Sequence, residues 1–292
     1  MTRVAAGDLL TVDGQIEWRG LLLGSGTVYG WRFLTGWLDL PGMRDGDQEL
    51  VGRHGAQPGQ MLAEPRIVEF GFHIRGPHTE FSDAVDLLRT ATAPTENPVE
   101  EPLIIQLQGR KHLVIARCTH RSIPTDKHFA VGYTQGALRW KATNPRLLEL
   151  PRQTPSTRLP APTGSGVSFP LAFPLDFGPG QSGGELVVTN QGTGHAEPVW
   201  AITGPVTGPR ITNADTGARL WFEDDYTLPA GHTLELTYHD RTVLLGSGVS
   251  RSNRLRFREW FTLPPGTTRI RYTAAVHDPV TELTCLYHHT SI

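Results

Sequence analysis

Helix breakers set the terms for this chain. Its 32 glycines and 23 prolines are scattered through 292 residues, so few uninterrupted windows reach the roughly 10 to 12 residues that an ordinary helix occupies. Long-helix and coiled-coil folds are excluded. Disorder throughout is excluded as well, because 38% of the residues are hydrophobic and 7 Trp and 11 Phe are spread along the chain, enough apolar surface to close a core. A turn-rich, mainly β protein follows.

At about 100 to 200 residues per domain, the length predicts two domains. The boundary falls where Pro151, Pro155, Pro160, Pro162, Gly164 and Gly166 crowd together among Ser, Thr and Arg, a linker composition. The expected division is an N-terminal domain over 1–150, a linker over 151–166 and a C-terminal domain over 167–292. Lys and Arg total 27 against 29 Asp and Glu, a net charge of −2. That balance lacks the basic excess that draws a protein to nucleic acid or an anionic membrane. Asp8 interrupts the start before an apolar signal-peptide segment develops, and no run approaches the ~20 apolar residues of a membrane span. A soluble, unprocessed chain is expected. Cys118 and Cys285 lie far apart in strand-like runs and are expected to be reduced, each acting as a small hydrophobe.

In the first half, Gln15 to Leu23 and Thr27 to Leu38 have strand character around the turn Gly24-Ser25-Gly26 and resemble a hairpin. Asp39 to Ala63 is rich in glycine and charge, without a sustained period, and is expected to be a loop. Loops of that length within a compact domain are usually functional or disordered. Glu64 to Arg75 is a strand. Phe81, Ala84, Val85 and Leu88 form an apolar stripe at helical spacing between Pro77 and Pro94, predicting a helix over Thr79 to Thr90. Leu103 to Leu107, His112 to His120, Phe129 to Tyr133 and Ala137 to Thr143 complete the domain as strands. After Gly166, short runs separated by turn signals have the spacing of a β-sandwich. They are Val167–Phe177, Glu185–Asn190, Val199–Gly204, Arg210–Asn213, Arg219–Glu223, Thr233–Tyr238, Thr242–Leu245, Leu255–Phe261, Thr268–Ala275 and Glu282–His288.

A search for chemistry yields little. Gly180-Gln181-Ser182-Gly183-Gly184 matches the hydrolase pattern G-x-S-x-G, but a strand follows it where a nucleophile elbow requires a helix. His112, His120 and His128 are eight residues apart, which at ~3.3 Å per residue separates neighbours by about 26 Å along a strand. His288 and His289 point to opposite faces of a terminal strand, and neither cysteine has a partner at zinc-ligand spacing. No phosphate-binding loop or dinucleotide fingerprint is present. No metal site, cofactor or catalytic residue is therefore assigned, and the expectation is a non-enzymatic protein that works through its surfaces.

Three stretches carry a family resemblance. The first is Gly36-Trp37-Leu38-Asp39-Leu40-Pro41-Gly42-Met43-Arg44-Asp45-Gly46-Asp47, followed by Arg53-His54-Gly55-Ala56-Gln57-Pro58-Gly59. The second is Trp140-Lys141-Ala142-Thr143-Asn144-Pro145-Arg146, with Asn144 where the family usually has Asp. The third runs through the C-terminal domain: Thr189-Asn190-Gln191-Gly192, Pro198 to Pro205, Pro209 to Asn213, Leu228-Pro229-Ala230-Gly231 and Trp260 to Thr268. In this order they resemble the distal tail proteins of siphophages, specifically the minor tail proteins of actinobacterial phages.

The resemblance implies an N-terminal domain similar to the tail tube protein, a split β-barrel or sandwich with one flanking α-helix. It also implies a C-terminal galectin-like or jelly-roll β-sandwich. It implies a homohexameric ring at the tail tip of a virion or phage-like particle, assembled in the host cytoplasm. Such a ring joins the tail tube protein to the tail-associated hub protein and surrounds the path of the tape-measure protein. Ring closure needs two different patches on each subunit. In the Asp39–Ala63 segment, Arg44, Asp45, Asp47, Glu49, Arg53 and His54 are the candidate inter-subunit contacts, with opposite charges able to fix a register. Trp37, Trp140, Trp200 and Trp260 are expected in the core. The alternative function is recognition of host-surface carbohydrate by the C-terminal sandwich, an analogy from fold, for which Trp200, Trp221, Tyr226 and Tyr238 are the available rings. A wall-degrading enzyme has only the acidic turn Glu223-Asp224-Asp225 to offer as a carboxylate pair.

Overall fold

The computed structural model describes residues 6–159 and 184–292, except 247, 277 and 279. The expected strand Val167–Phe177, residues 160–166 of the linker and nearly all of the G-x-S-x-G segment lie outside these residues. Two compact units form, one from residues 1–150 with Ser291–Ile292 and the other from Pro151–Thr290. The mainly β fold is borne out, with α1 the single α-helix among the described residues.

The first unit contains β1 (Gln15–Trp18), β2 (Leu21–Gly24), β3 (Tyr29–Thr35), β4 (Met43–Arg44), β5 (Gln48–Glu49), β6 (Ala56–Gln57), β7 (Leu62–Ala63) and β8 (Arg66–Arg75). After α1 (His78–Ala91) come β9 (Glu101–Leu107), β10 (Arg110–Ser122), β11 (Tyr133–Ala142) and β12 (Leu147–Leu150). The main sheet runs β2-β1-β9-β10-β11-β8-β3, with β12 also on β10. The long β10 joins the two halves of the sheet: Arg110 to Ala116 pair with β9, and Arg117 to Ser122 pair with β11 across a bulge between Cys118 and His120. The sheet bends there, and no closed barrel forms among the described residues. Val68, Phe70, Phe72 and Ile74 of β8 alternate into the core, where Trp18, Trp37 and Trp140 are also buried.

The helix follows from its apolar stripe. Phe81, Ala84, Val85 and Leu88 are its buried residues, and the rest of the sequence between the flanking prolines is polar enough to face water. Two tryptophan and tyrosine hydrogen bonds tie it to the sheet. Tyr29 donates its hydroxyl to the Ala84 carbonyl at 2.7 Å, and Trp18 donates Nε1 to the Ala91 carbonyl at 2.9 Å.

Three sequence expectations are corrected here. The hairpin of Gln15–Leu23 closes at Arg19-Gly20 rather than at Gly24-Ser25-Gly26, with Trp18 paired to Leu21. Arg19 and Gly20 have φ of 49° and 77°, the left-handed pair that a two-residue hairpin turn requires. Phe129–Val131 is a short 3-10 turn ending at Gly132 in the left-handed region, so β11 begins only at Tyr133. The strand expected to run from Glu282 to His288 stops at Leu286, short of His288-His289, which lie between it and a last two-residue strand, Thr290–Ser291.

The second unit holds β13 (Ser156–Arg158), β14 (Glu185–Asn190), β15 (Val199–Thr203), β16 (Val206–Asn213), β17 (Arg219–Phe222) and β18 (Thr227–Leu228). Then follow β19 (Thr233–Thr237), β20 (Thr242–Leu245), β21 (Val249–Ser250), β22 (Leu255–Arg258), β23 (Gly266–Val276) and β24 (Glu282–Leu286). One sheet is ordered β13-β24-β15-β19-β20-β21 and the other β14-β23-β16-β17-β22, with β18 on β16. Trp200, Ile202, Phe222, Leu234, Leu236, Ile270, Tyr272 and Leu283 belong to a single buried cluster. Trp260 is partly buried against it. Both cysteines are free thiols, Cys285 buried and Cys118 half-buried. Burial pushes the Cys285 thiol well above its ordinary range and raises that of Cys118.

Candidate subunit interface

The segment expected to be an aperiodic loop is an ordered ribbon. β4 pairs with β7 in the register Met43↔Ala63 and Arg44↔Leu62, and β5 pairs with β6 through Gln48↔Gln57 and Glu49↔Ala56. Turn chemistry builds it. Gly46 and Gly59 cross so closely that a Cβ on Gly59 would stand 2.0 Å from the Gly46 carbonyl oxygen. Gly59 also donates its N–H to Asp47 Oδ1 at 2.9 Å. At the tip, Leu50 donates its N–H to the Gly55 carbonyl and Arg53 to the Leu50 carbonyl. The pairs are interrupted every two residues by glycine and charge, which is why no period of two is visible in the sequence.

The root of this arm is fixed by one side chain that sequence reasoning did not single out. Arg66, at the start of β8, is 1% exposed. Its Nη1 donates to the carbonyls of Gly36, Trp37 and Asp39 at 2.8, 2.9 and 2.8 Å, and its Nε donates to that of Pro145 at 2.8 Å. Burial lowers its pKa, partly offset by the nearby Asp39 carboxylate, yet guanidinium remains charged at neutral pH. A buried cation of this kind is tolerable because it is surrounded by acceptors. Gly36 turns the chain toward it with φ of 77°, and a Cβ there would lie 1.7 Å from the Ile67 carbonyl oxygen. Gly36 donates its N–H to Asp39 Oδ2 at 2.6 Å, and Trp37 is buried beside the turn. Two of the family-like stretches, Gly36 to Asp39 and Trp140 to Arg146, thus converge on Arg66. Arg66 opens a strand that also carries Glu69, His73 and Arg75, so its charge alone did not distinguish it in the sequence.

Beyond its root the arm is exposed to solvent on both faces. Val51 is 101% exposed, and Leu38, Leu40, Leu50, Met61 and Leu62 are exposed as well. Arg44, Asp45, Asp47, Glu49, Arg53 and His54 are all exposed along the ribbon or at its tip. The chain brings them onto one projecting element. Among the described residues none of them has an ion-pair partner. Between Asp39 and Glu64 the segment carries five carboxylates, Asp39, Asp45, Asp47, Glu49 and Glu64, against Arg44 and Arg53, so the arm is acidic with apolar side chains interspersed.

The other candidates are occupied by structural duties. In the acidic turn, Glu223 pairs with Arg254 at 3.0 Å, Asp224 with Arg210 at 2.7 Å and Asp225 with Arg254 at 3.2 Å. The guanidinium of Arg210 holds the Asp224 carboxyl below the usual carboxylate range. These arginines neutralise the turn, leaving no free carboxylate pair. Trp200 and Tyr226 are buried, and the half-buried Trp221 ring is covered by Arg210 and Arg219, 5.2 and 5.3 Å from its centroid. Of the resemblance motifs in the second unit, the asparagines serve turns. Asn190 accepts N–H bonds from Gly192 and Thr290 and donates to the Gly194 and Leu263 carbonyls, and Asn213 accepts from Asp215 and Thr216. Among the described residues, no group of three or more His, Cys, Asp or Glu could hold a metal ion, and no helix is long and apolar enough to cross a membrane.

Residues 191–285 match the family model of the siphovirus-type tail component, C-terminal domain. Among solved structures, the Dit protein of SPP1, described as a paradigm of hub adsorption apparatus in Gram-positive infecting phages, superposes with a TM-score of 0.65. The identity is 12%, and the alignment covers 94% of this chain and 98% of that one. A chain of the phage P2 baseplate, in its activated conformation with Ca, gives a TM-score of 0.51 at 8% identity, covering 93% and 97%. No curated protein sequence matches. The family resemblance read from the three stretches is borne out by the match in the second unit and by the fold of the whole chain.

Proposed function

The chain carries a siphovirus-type tail-component domain on the fold of a phage distal tail protein, and from that premise we propose that it is a structural adaptor of the tail tip. Six copies form a ring that joins the tail tube protein to the baseplate hub, around the path of the tape-measure protein. The protein acts in the virion after assembly in the host cytoplasm, and it works by contact rather than catalysis. The observation that carries this reading is the agreement in fold with the SPP1 protein over 94% of the chain. The acidic, apolar-studded arm supports it, since a closed ring requires one patch of a subunit to meet a different patch of its neighbour.

Electron microscopy of the purified protein, with light scattering for mass, tests the proposal. A six-fold ring with a central opening is expected, and a strict monomer at high concentration would refute it. Arg44→Ala is expected to weaken the ring while leaving the monomer folded; an unchanged hexamer mass at limiting concentration would remove Arg44 from the interface.

A further inference from the structure

The arm needs an acceptor, and the first unit offers one. A groove of about 350 Å³ lies between α1 and the segment that follows β10, lined by Val85, Arg89, Arg121, Ile123, Thr125 and Phe129. Its floor is apolar. Val85 is buried on the helix, and Phe129 packs edge-on against Phe81 with ring centroids 4.9 Å apart. Its rim is basic. Arg121 is held by hydrogen bonds to the Arg89 carbonyl and Thr92 Oγ1, both at 2.9 Å, contacts that leave its charge uncompensated. Arg89 is largely exposed and pairs with Asp86 at 3.2 Å. The nearby acid, Asp126, accepts the N–H groups of His128 and Phe129.

The tip of the arm has the complementary character. Leu50 and Val51 are exposed apolar side chains, preceded by Asp45, Asp47 and Glu49 with no ion-pair partner among the described residues. Among the described residues the strands of the arm pair only with each other. Its root is at Arg66, the first residue of β8, whereas α1 begins just past Arg75, the last. On the sheet, Arg121 lies level with Leu138 and Phe70, in the middle of β8, so the groove is a patch separate from the arm's root. Two different patches on one chain are what a head-to-tail contact between identical chains uses.

Resting on the ring reading above, we infer that the acceptor for the arm is a second copy of this chain: Leu50 and Val51 of one copy seat in the groove between α1 and residues 121–129 of the next, with Asp47 and Glu49 beside Arg89 and Arg121. The apolar tip supplies the desolvated centre of the contact and the charges its rim, the usual division in interfaces. The charges also fix direction, since two acidic tips or two basic rims repel.

The test uses the full chain with Cys118→Ser, so that the half-buried native thiol does not intervene. Val51→Cys and Ile123→Cys are made singly and together, and the protein is oxidised and run on a non-reducing gel. The double variant is expected to give a covalent ladder, and each single variant to remain monomeric on the gel. Glu49→Arg and Arg89→Glu are expected each to weaken assembly about tenfold, and together to restore it. A six-fold ring whose double-cysteine variant forms no ladder would overturn this acceptor while leaving the ring intact. Dimers from Val51→Cys alone would overturn it in favour of a tip-to-tip contact. A wild-type chain that stays monomeric would sink both this inference and the ring reading.

Discussion

Replacing Arg66 by methionine keeps the aliphatic stem and removes the guanidinium from the root of the arm. Four carbonyl groups, of Gly36, Trp37, Asp39 and Pro145, then lose donors at 2.8 to 2.9 Å. A hydrogen bond to a charged partner contributes about 1.5 to 3 kcal/mol, and a buried acceptor left bare costs about 1 to 3 kcal/mol. Simple addition would exceed 6 kcal/mol. Two effects reduce it: removing the cation relieves its own desolvation, and the Gly36–Asp39 turn can shift to admit water. A loss of about 3 to 5 kcal/mol from the first unit is expected, a large share of the roughly 5 to 15 kcal/mol that holds a domain folded. Urea unfolding followed by tryptophan fluorescence measures it, with hydrogen exchange reporting each unit separately. The transition of the second unit is expected to stay in place, while amides of residues 36–41 lose protection before the rest of β8. Lysine at position 66 should recover only part of the loss, because one ammonium cannot span both Nη1 and Nε partners. A loss below about 1 kcal/mol with protection of residues 36–41 unchanged would refute the assignment of Arg66 as the anchor, since orphaned buried carbonyls cannot be that cheap.

Trp18 and Trp140 are both fully buried with ring centroids 5.8 Å apart, but only Trp18 Nε1 has an acceptor, whereas Trp140 Nε1 has none. Trp18→Phe is therefore expected to destabilise the first unit by about 2 kcal/mol more than Trp140→Phe, because the first orphans the Ala91 carbonyl and the second removes an unsatisfied donor; equal midpoints in urea would contradict this. In the second unit, Asp215 is depressed by the Arg269 N–H and guanidinium, Asp224 by Arg210 and Glu259 by Arg219. A carboxyl whose folded pKa is below its unfolded value stabilises the fold above the ordinary range near about 4, and that contribution disappears as pH falls through the folded value. Thermal unfolding of the second unit should be flat from neutrality down to about pH 5 and fall steeply below about pH 4, and 1 M salt should flatten the drop because these pairs are solvent-accessible; a midpoint indifferent to both acid and salt would count against the pairs.

What the sequence made legible was whatever repeats or punctuates. Ile67, Phe70, Phe72 and Ile74 announced β8, although Val68 and not the exposed Ile67 completes the buried alternation; the Phe81-Ala84-Val85-Leu88 stripe announced α1, and turn residues separated the strands of the second unit close to where they fall. The errors came where a local signal was ambiguous. Gly24-Ser25-Gly26 looks as good a hairpin turn as Arg19-Gly20, and only the pairing of Trp18 with Leu21 decides between them. Phe129 and Val131 have strand-like side chains, but Gly132 in the left-handed region breaks the run. Arg66 was invisible for a different reason: its partners are backbone carbonyls brought from positions 36 to 39 and from 145. No residue type at those positions advertises a carbonyl oxygen.

The arm was illegible because its stability is not contained in its own sequence. Fixing the backbone costs about 1 to 2 kcal/mol per residue, and a two-stranded ribbon without a third strand or a packed face is marginal in water. Between Met43 and Ala63 most side chains are exposed and the ladder consists of two short pairings separated by Gly46 and Gly59. Glycine there adds to the entropy lost on ordering. Only the root is strongly held, by Arg66 and the buried Trp37. In the isolated chain, amides of residues 44–62 are therefore expected to exchange with deuterium nearly as fast as an unfolded peptide, and in the assembled form to slow by at least about a hundredfold, as local opening comes to require release from a partner. Core amides of Val68 and Phe70 serve as the internal standard and should be slow in both. Equal, strong protection of the arm in monomer and assembly would mean that the ribbon is stable alone and that its exposed apolar side chains need no partner to order them.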